Sequence, residues 1–318
     1  MILNTGTRTD IPAFFNKWFL NRIEEGFVLS KNPYNNQIYK YNFNPKTVDV
    51  ICFCSKNPKP LVRNLDRLSD YNQFWFTTIT PYGKDIEVNV PNYKKVIETF
   101  KKLSESLGIN AVSWRYDPIF ITEKYSLDFH VDMFEQMASE LHEYTSDCTI
   151  SFIDLYQKVL RNFPEAREVT TEERLVIGEN FAKIAGEYDM QMKTCVEGTL
   201  LDPFGFDSAG CMTRQVLEKA IGNNLNVPKG KYHNRECNCL MGRDIGLYNT
   251  CMHGCKYCYA NSNMKLVKRN QKLHNPDSPL LIGEVSDGDV VIEVNESSYI
   301  ETHEKVVPLT RTFQSTLL

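Results

Sequence analysis

Short apolar runs rich in Val, Ile, Phe and Thr alternate along this chain with longer stretches whose apolar residues recur every three or four positions. The short runs predict strands at Ile2–Gly6, Val48–Cys54, Gln73–Ile79, Ala111–Tyr116, Cys148–Ile153 and Gln191–Val196. Helical patterns lie between them. "PAFFNKWFLNRIEEG" opens with Pro12 in a first turn and stops at Gly26. "NYKKVIETFKKLSESLG" lines up Val96, Ile97, Phe100, Leu103 and Leu107 on one face and ends at Gly108. "SLDFHVDMFEQMASELHEY" and "TTEERLVIGENFAKIAGEY" repeat the pattern, with Ser126 and Thr170 or Thr171 as N-caps.

Strand then helix, repeated about six times, predicts an α/β fold of parallel β/α units. The sheet can be open and doubly wound, or it can be a full or partial TIM-like barrel. No GxGxxG follows the first strand, which favours the barrel. After Val196 the alternation stops, apart from a helix near Thr213–Ile221. A cysteine-rich segment runs to about Asn263, "DGDVVIEVNESSY" holds a late strand, and residues after about Val306 read as a tail. The expected organisation is a barrel over 1–197, a cysteine-rich region over 198–263 packed on its mouth, and a C-terminal extension over 264–318.

In a barrel every strand opens at its C-terminal end onto one face, and that face holds the chemistry. The residues there are polar: Arg8 and Asp10, Lys56 and Asn57, Thr80 and Tyr82, Arg115 and Asp117, Asp154 and Tyr156, and Glu197. Taken singly, Asp10 and Asp117–Pro118 read as caps or turn residues. Taken together, Arg8, Asp10, Lys56, Arg115, Asp117, Asp154 and Tyr156 are candidates for a catalytic pocket. Arg8, Lys56 and Arg115 would hold an anionic group, and Asp10, Asp117 and Asp154 would orient those cations or a substrate amine.

Bulk composition narrows the class. The chain has 318 residues, 42% of them hydrophobic, enough for one large core or two ordinary ones. A net charge of −4, without long single-sign runs, gives no global signal for nucleic acid. No signal peptide opens the chain, and no run nears the roughly 18 apolar residues of a membrane span. The expectation is a cytoplasmic protein. Its ten cysteines then form no disulfide framework, and seven of them crowd between Cys195 and Cys258. Core packing gives no reason for that crowding; metal ligation does.

Thiolates suit zinc or iron–sulfur clusters, not calcium or magnesium. Cys251, Cys255 and Cys258, spaced CxxxCxxC, can wrap three corners of a four-iron cubane and leave the fourth iron open. The alternative is a zinc knuckle completed by Cys239 or His253. Cys195, Cys211, Cys237 and Cys239 offer a second, closed set, for a second cluster, as a cap on the first, or as buried inert thiols.

CxxxCxxC with an aromatic before its last cysteine resembles the signature of the radical S-adenosylmethionine superfamily. That resemblance implies an open iron chelated by S-adenosylmethionine and a 5′-deoxyadenosyl radical that abstracts hydrogen. It also implies a reductase partner such as flavodoxin or ferredoxin. "CKYCYAN" is similar to the spore photoproduct lyase branch. Over most of its length the chain resembles the domain-of-unknown-function 1848 family, through "RTDIPAFF", "SKNP", "WRYDPI", "SFIDLY" and "RDIGLYNTCMHGCKYCYAN". Two departures follow. The motif comes after about six strand–helix units, so the barrel is permuted. No Gly-Gly-Glu string is present, and Glu197 in "CVEG" takes its place. Glu197 and Tyr257 are therefore the candidate cofactor-binding residues.

Other signals are weaker. Cys52 and Cys54 share one strand face and read as core. Cys148 and the three tryptophans also read as core. "KLVKRNQK", from Lys265 to Lys272, reads as a solvated helix face, or as a contact for phosphate or an acidic electron donor. The leading expectation is a radical S-adenosylmethionine enzyme acting on a small molecule or nucleic acid. Its rivals are an electron-transfer or cluster protein, and a zinc-stabilised protein that binds nucleic acid or a small anion.

Overall fold

The computed structural model describes residues 1–35, 37–228, 237–240 and 242–300. The predicted tail from about Val306 lies outside the described residues.

Seven strands form one parallel sheet in the order β8-β7-β6-β5-β4-β1-β9. They are β1 (Ile2–Asn4), β4 (Val50–Ser55), β5 (Gln73–Thr78), β6 (Val112–Ile119), β7 (Asp147–Phe152), β8 (Gln191–Thr194) and β9 (Arg243–Asp244). From β4 to β8 each strand lies beside its sequence neighbour in the sheet, and β9 then returns to pair with the free side of β1. An open α/β sheet and a barrel both allow this order. Among the described residues no ladder joins β8 to β9.

The helices are α1 (Ile11–Phe14), α2 (Asn16–Glu25), α3 (Lys59–Val62), α4 (Tyr93–Leu107), α5 (Leu127–Leu141), α6 (Gln157–Asn162), α7 (Thr171–Glu187), α8 (Arg214–Ile221) and α9 (Met264–Gln271). Ser126 and Thr170 cap α5 and α7, Thr170 through a reciprocal capping box with Glu173. The single helix expected over Pro12–Gly26 breaks at Phe15, whose φ of −128° and ψ of 23° leave the helical region. There the Phe15 ring is buried, edge-on to His274 at 4.8 Å.

Side chains alternate across the sheet. One face carries Leu3, Ile51, Phe53, Trp75, Trp114 and Ile150 into the main core. Trp114 stacks on Phe134 of α5 at 5.1 Å, and Phe134 stacks on Phe181 of α7 at 3.9 Å. The three tryptophans and Cys148 are fully buried in this core. The other face carries Ile2, Val50, Cys52, Phe74 and Phe76, which pack against Leu217 of α8, Cys211, Leu225 and Leu240. The cysteine-rich segment therefore covers the face that the outer helices leave open.

A second sheet, β10-β3-β2, was not expected in this form. β2 (Phe27–Lys31) and β3 (Ile38–Asn42) form an antiparallel hairpin, and the late strand β10 (Val291–Val294) adds to it in parallel.

Candidate metal centre

Cys251, Cys255 and Cys258 sit on a loop docked across the C-terminal ends of the strands. The backbone of Asn89 donates to His253 O at 2.8 Å, and Lys256 N donates to Ile86 O at 3.1 Å. Asn89 Nδ2 holds Met252 O at 2.8 Å, and Gln271 Nε2 from α9 holds Thr250 O at 2.7 Å. The loop turns at Gly254, whose φ of 69° favours glycine. Ala260 N donates to Cys258 Sγ at 3.3 Å. Burial pushes all three thiols above the ordinary cysteine range, and they lie within electrostatic reach of one another. Asp10 adds to this rise at Cys251, and Glu87 adds to it at Cys255. Lys56 opposes it at Cys255 and Cys258, with Lys158 also opposing it at Cys258.

Behind this loop runs a buried polar network. Asp10 caps α1 by accepting from Ala13 N at 3.0 Å. Its other oxygen accepts from Lys56 N at 2.9 Å and meets His253 Nε2 at 2.7 Å. The Lys56 ammonium bonds Glu87 Oε1 at 2.7 Å and Thr80 Oγ1 at 3.2 Å. Thr80 and Tyr257 also donate their hydroxyls to Glu87 Oε1. Burial alone would lower the Lys56 pKa, but the carboxylate of Glu87 reverses that, so the lysine stays cationic. Two atoms of the loop, His253 Nδ1 and Asn261 Oδ1, are buried without a hydrogen-bond partner among the described residues.

The remaining candidates fall into two groups. Arg115, on the face of β6 that the cysteine-rich segment covers, forms an ion pair with Asp117, and Ser151 Oγ donates to Asp117 Oδ1 at 2.6 Å. Burial opposes the charge on both, yet the arginine holds the Asp117 carboxyl below its usual range. Glu197 accepts from Phe152 N at 2.8 Å and pairs with Arg174 at 2.9 Å. Burial, only partly offset by these partners, brings it to about 7. It follows Val196, whose φ of 62° is strained for a β-branched residue. Arg8, Asp154 and Tyr156 lie at the rim. The Arg8 guanidinium sits 5.6 Å from the Tyr248 ring centre, and Tyr156 OH donates to exposed Asp154 at 3.1 Å. The Tyr156 ring lies 6.4 Å from that of Tyr259, next to Cys258.

A second thiol set lies on the sheet face that packs against α8. Cys211 Sγ is 3.9 Å from Cys195 Sγ and 3.9 Å from Cys239 Sγ. It also accepts from Arg115 Nη1 at 3.2 Å. Cys52 on β4 lies close enough to Cys211 to feel its charge. Among the described residues, no three His, Cys, Asp or Glu side chains close on a point as the ligands of a single ion do.

The family model for the domain of unknown function DUF1848 matches residues 2–260, from β1 through the whole thiol loop. This chain belongs to the DUF1848 family. No curated protein matches it. In this DUF1848 protein the matched region takes in both thiol sets and Asp10, Lys56, Glu87, Arg115, Asp117 and Glu197. Glu87 was not found by sequence reasoning. It sits in an irregular loop after β5, and its only sequence signal is a carboxylate flanked by Ile86 and Val88. Ser151 and Lys158 also escaped notice, since an isolated serine or lysine carries no pattern. Among the described residues no helix is long and apolar enough to cross a membrane.

Proposed function

We propose that this DUF1848 protein holds a four-iron cluster on Cys251, Cys255 and Cys258 and uses it in S-adenosylmethionine chemistry. The observation that carries the reading is the loop itself: three thiols within electrostatic reach of one another, two of them also of the buried Lys56, on a segment hydrogen-bonded to the loop after β5. The donor set fits the group. Thiolates are the ligands a cluster takes, and a cubane spreads its cysteines wider than one ion does. Three cysteines leave one iron for a further ligand. Lys56 and Lys158 oppose the negative charge that thiolates and sulfide bring.

When bound, the cluster supplies one electron for reductive cleavage of S-adenosylmethionine, drawn from a flavodoxin- or ferredoxin-type reductase in the cytoplasm. The chain's own residues position the loop. Asp10 ties His253 to the end of β1, and Glu87 ties Tyr257 to Lys56. In this reading Glu197 and Tyr257 are the residues that bind the cofactor. Arg8, Asp154 and Tyr156 at the rim meet the substrate, a small molecule or a nucleic acid. The parallel sheet acts as a partial, permuted barrel whose mouth the loop covers.

One observation favours a second reading. Lys56 and Arg115 are both engaged in ion pairs, so neither stands free for a substrate anion. That arrangement suits a cluster protein that transfers electrons without S-adenosylmethionine. Anaerobic reconstitution with iron and sulfide, followed by dithionite and S-adenosylmethionine, separates the two. The first reading expects 5′-deoxyadenosine from the wild type and none from Cys255→Ala, with iron lost in the variant. Iron retained in full by Cys255→Ala removes the ligand assignment. Iron lost without any 5′-deoxyadenosine from the wild type selects the electron-transfer reading.

A further inference from the structure

We infer that Cys195, Cys211, Cys237 and Cys239 form a second metal centre that takes a single tetrahedral thiophilic ion of the zinc class, not a second cubane. The inference goes beyond the cluster reading and does not depend on it.

The sulfur spacing decides between the two kinds of centre. Four thiolates about 2.3 Å from one ion stand about 3.8 Å apart along each tetrahedral edge. The Cys211–Cys195 and Cys211–Cys239 separations are both 3.9 Å. A cubane needs wider separations. Two edges of a single-ion site are therefore in place, from residues distant in sequence.

The surroundings suit thiolate ligands. Arg115 donates to Cys211 Sγ at 3.2 Å, and Met212 N donates to Cys239 Sγ at 3.3 Å. N–H donors aimed at sulfur stabilise the charged form and orient it, as the partners of metal ligands do. Gly210 lets the chain press against the set. A Cβ there would lie 2.7 Å from Cys239 Sγ and 3.3 Å from Cys237 Cβ, and the φ of 127° excludes most side chains. Cys237 thus flanks the set across Gly210, and the proposal assigns it as the fourth ligand. Among the described residues no three of these side chains meet at one point. Closing the site requires Cys237 to turn in from across Gly210.

The consequence is structural. An ion here ties the end of β8 to the segment that covers the α8 face of the sheet, where a chain of mixed loops has few regular hydrogen bonds.

The test is metal analysis of the full chain purified anaerobically without added metal. The expected result is about one zinc per chain. It is lost in Cys211→Ser and Cys239→Ser and kept in Cys255→Ala. Should the serine variants fail to fold, cobalt(II) exchange into the wild type gives the second readout: intense visible bands of a tetrahedral thiolate site, unchanged in Cys255→Ala. Three results overturn the proposal. Zinc can stay in Cys211→Ser. Iron can leave in its place, which means a second cubane. The wild type can hold neither zinc nor cobalt, which means these are packed thiols only. Loss of iron binding at Cys255 bears only on the cluster reading.

Discussion

The Lys56–Glu87 pair offers a quantitative test of how the thiol loop is supported. The two charges are 2.7 Å apart, with side-chain exposures of 13% and 3%. Lys56→Met strands the Glu87 carboxylate, leaving it two hydroxyl donors and no counter-charge. Removing one member of a buried pair costs about 3–5 kcal/mol, because an uncompensated charge stays behind. Glu87→Gln keeps an acceptor for Thr80 and Tyr257 but strands the ammonium, at a similar cost. The double variant removes both charges and should cost less than the sum of the singles by at least about 2 kcal/mol. Anaerobic urea unfolding of the four proteins measures the cycle. Iron content should follow the same order, since Glu87 also holds Tyr257 beside Cys258. Additivity within about 0.5 kcal/mol would refute the reasoning. So would a Lys56→Met protein as stable as the wild type, which is what a lysine free to hold substrate predicts.

Asp10→Ala removes the cap of α1, at about 1 kcal/mol, and orphans the donors on Lys56 and His253, at about 1–3 kcal/mol each. Urea unfolding and iron retention should both fall, and a stability change under about 1 kcal/mol would contradict the network. His130 is fully buried between Tyr116 OH and Phe120 O, and burial lowers its pKa to about 4. The unfolded chain therefore binds the extra proton first, so the His130 contribution is present above pH about 6.5 and lost as pH falls toward 4. Between pH 7.5 and 5 the wild type should lose about 2 kcal/mol more than His130→Phe; equal losses would show that His130 does not titrate this way. Val196→Gly should raise stability by about 1 kcal/mol in thermal or urea unfolding, because Val196 is exposed and holds a φ of 62°. A clear loss would mean the valine makes a contact worth more than the strain.

The central parallel strands β4 to β7 were legible because they are buried on both faces and read as apolar runs, whereas β9 (Arg243–Asp244), two half-buried charged residues, gave no strand signal and was not expected. The break at Phe15 was not legible, since a helical period cannot show that one ring turns inward to meet a histidine some 260 positions away. The β2–β3 hairpin mixes Lys, Asn and Tyr into short runs and carries no clear alternation. The thiols announced themselves by crowding, but their partition did not. Spacing along the chain groups Cys237 with Cys239, whereas Cys211 meets Cys195 only because β8 and the segment before α8 lie against one sheet face. The same face explains Arg115. As a strand-end arginine it looked like an anchor for substrate, and only the register of β6 on β5 and β7 aims it inward, between Asp117 and a sulfur. Residue type told what chemistry each group can do. The topology decides which partner it does it with, and here it gives the cations to acids and thiols of the chain itself.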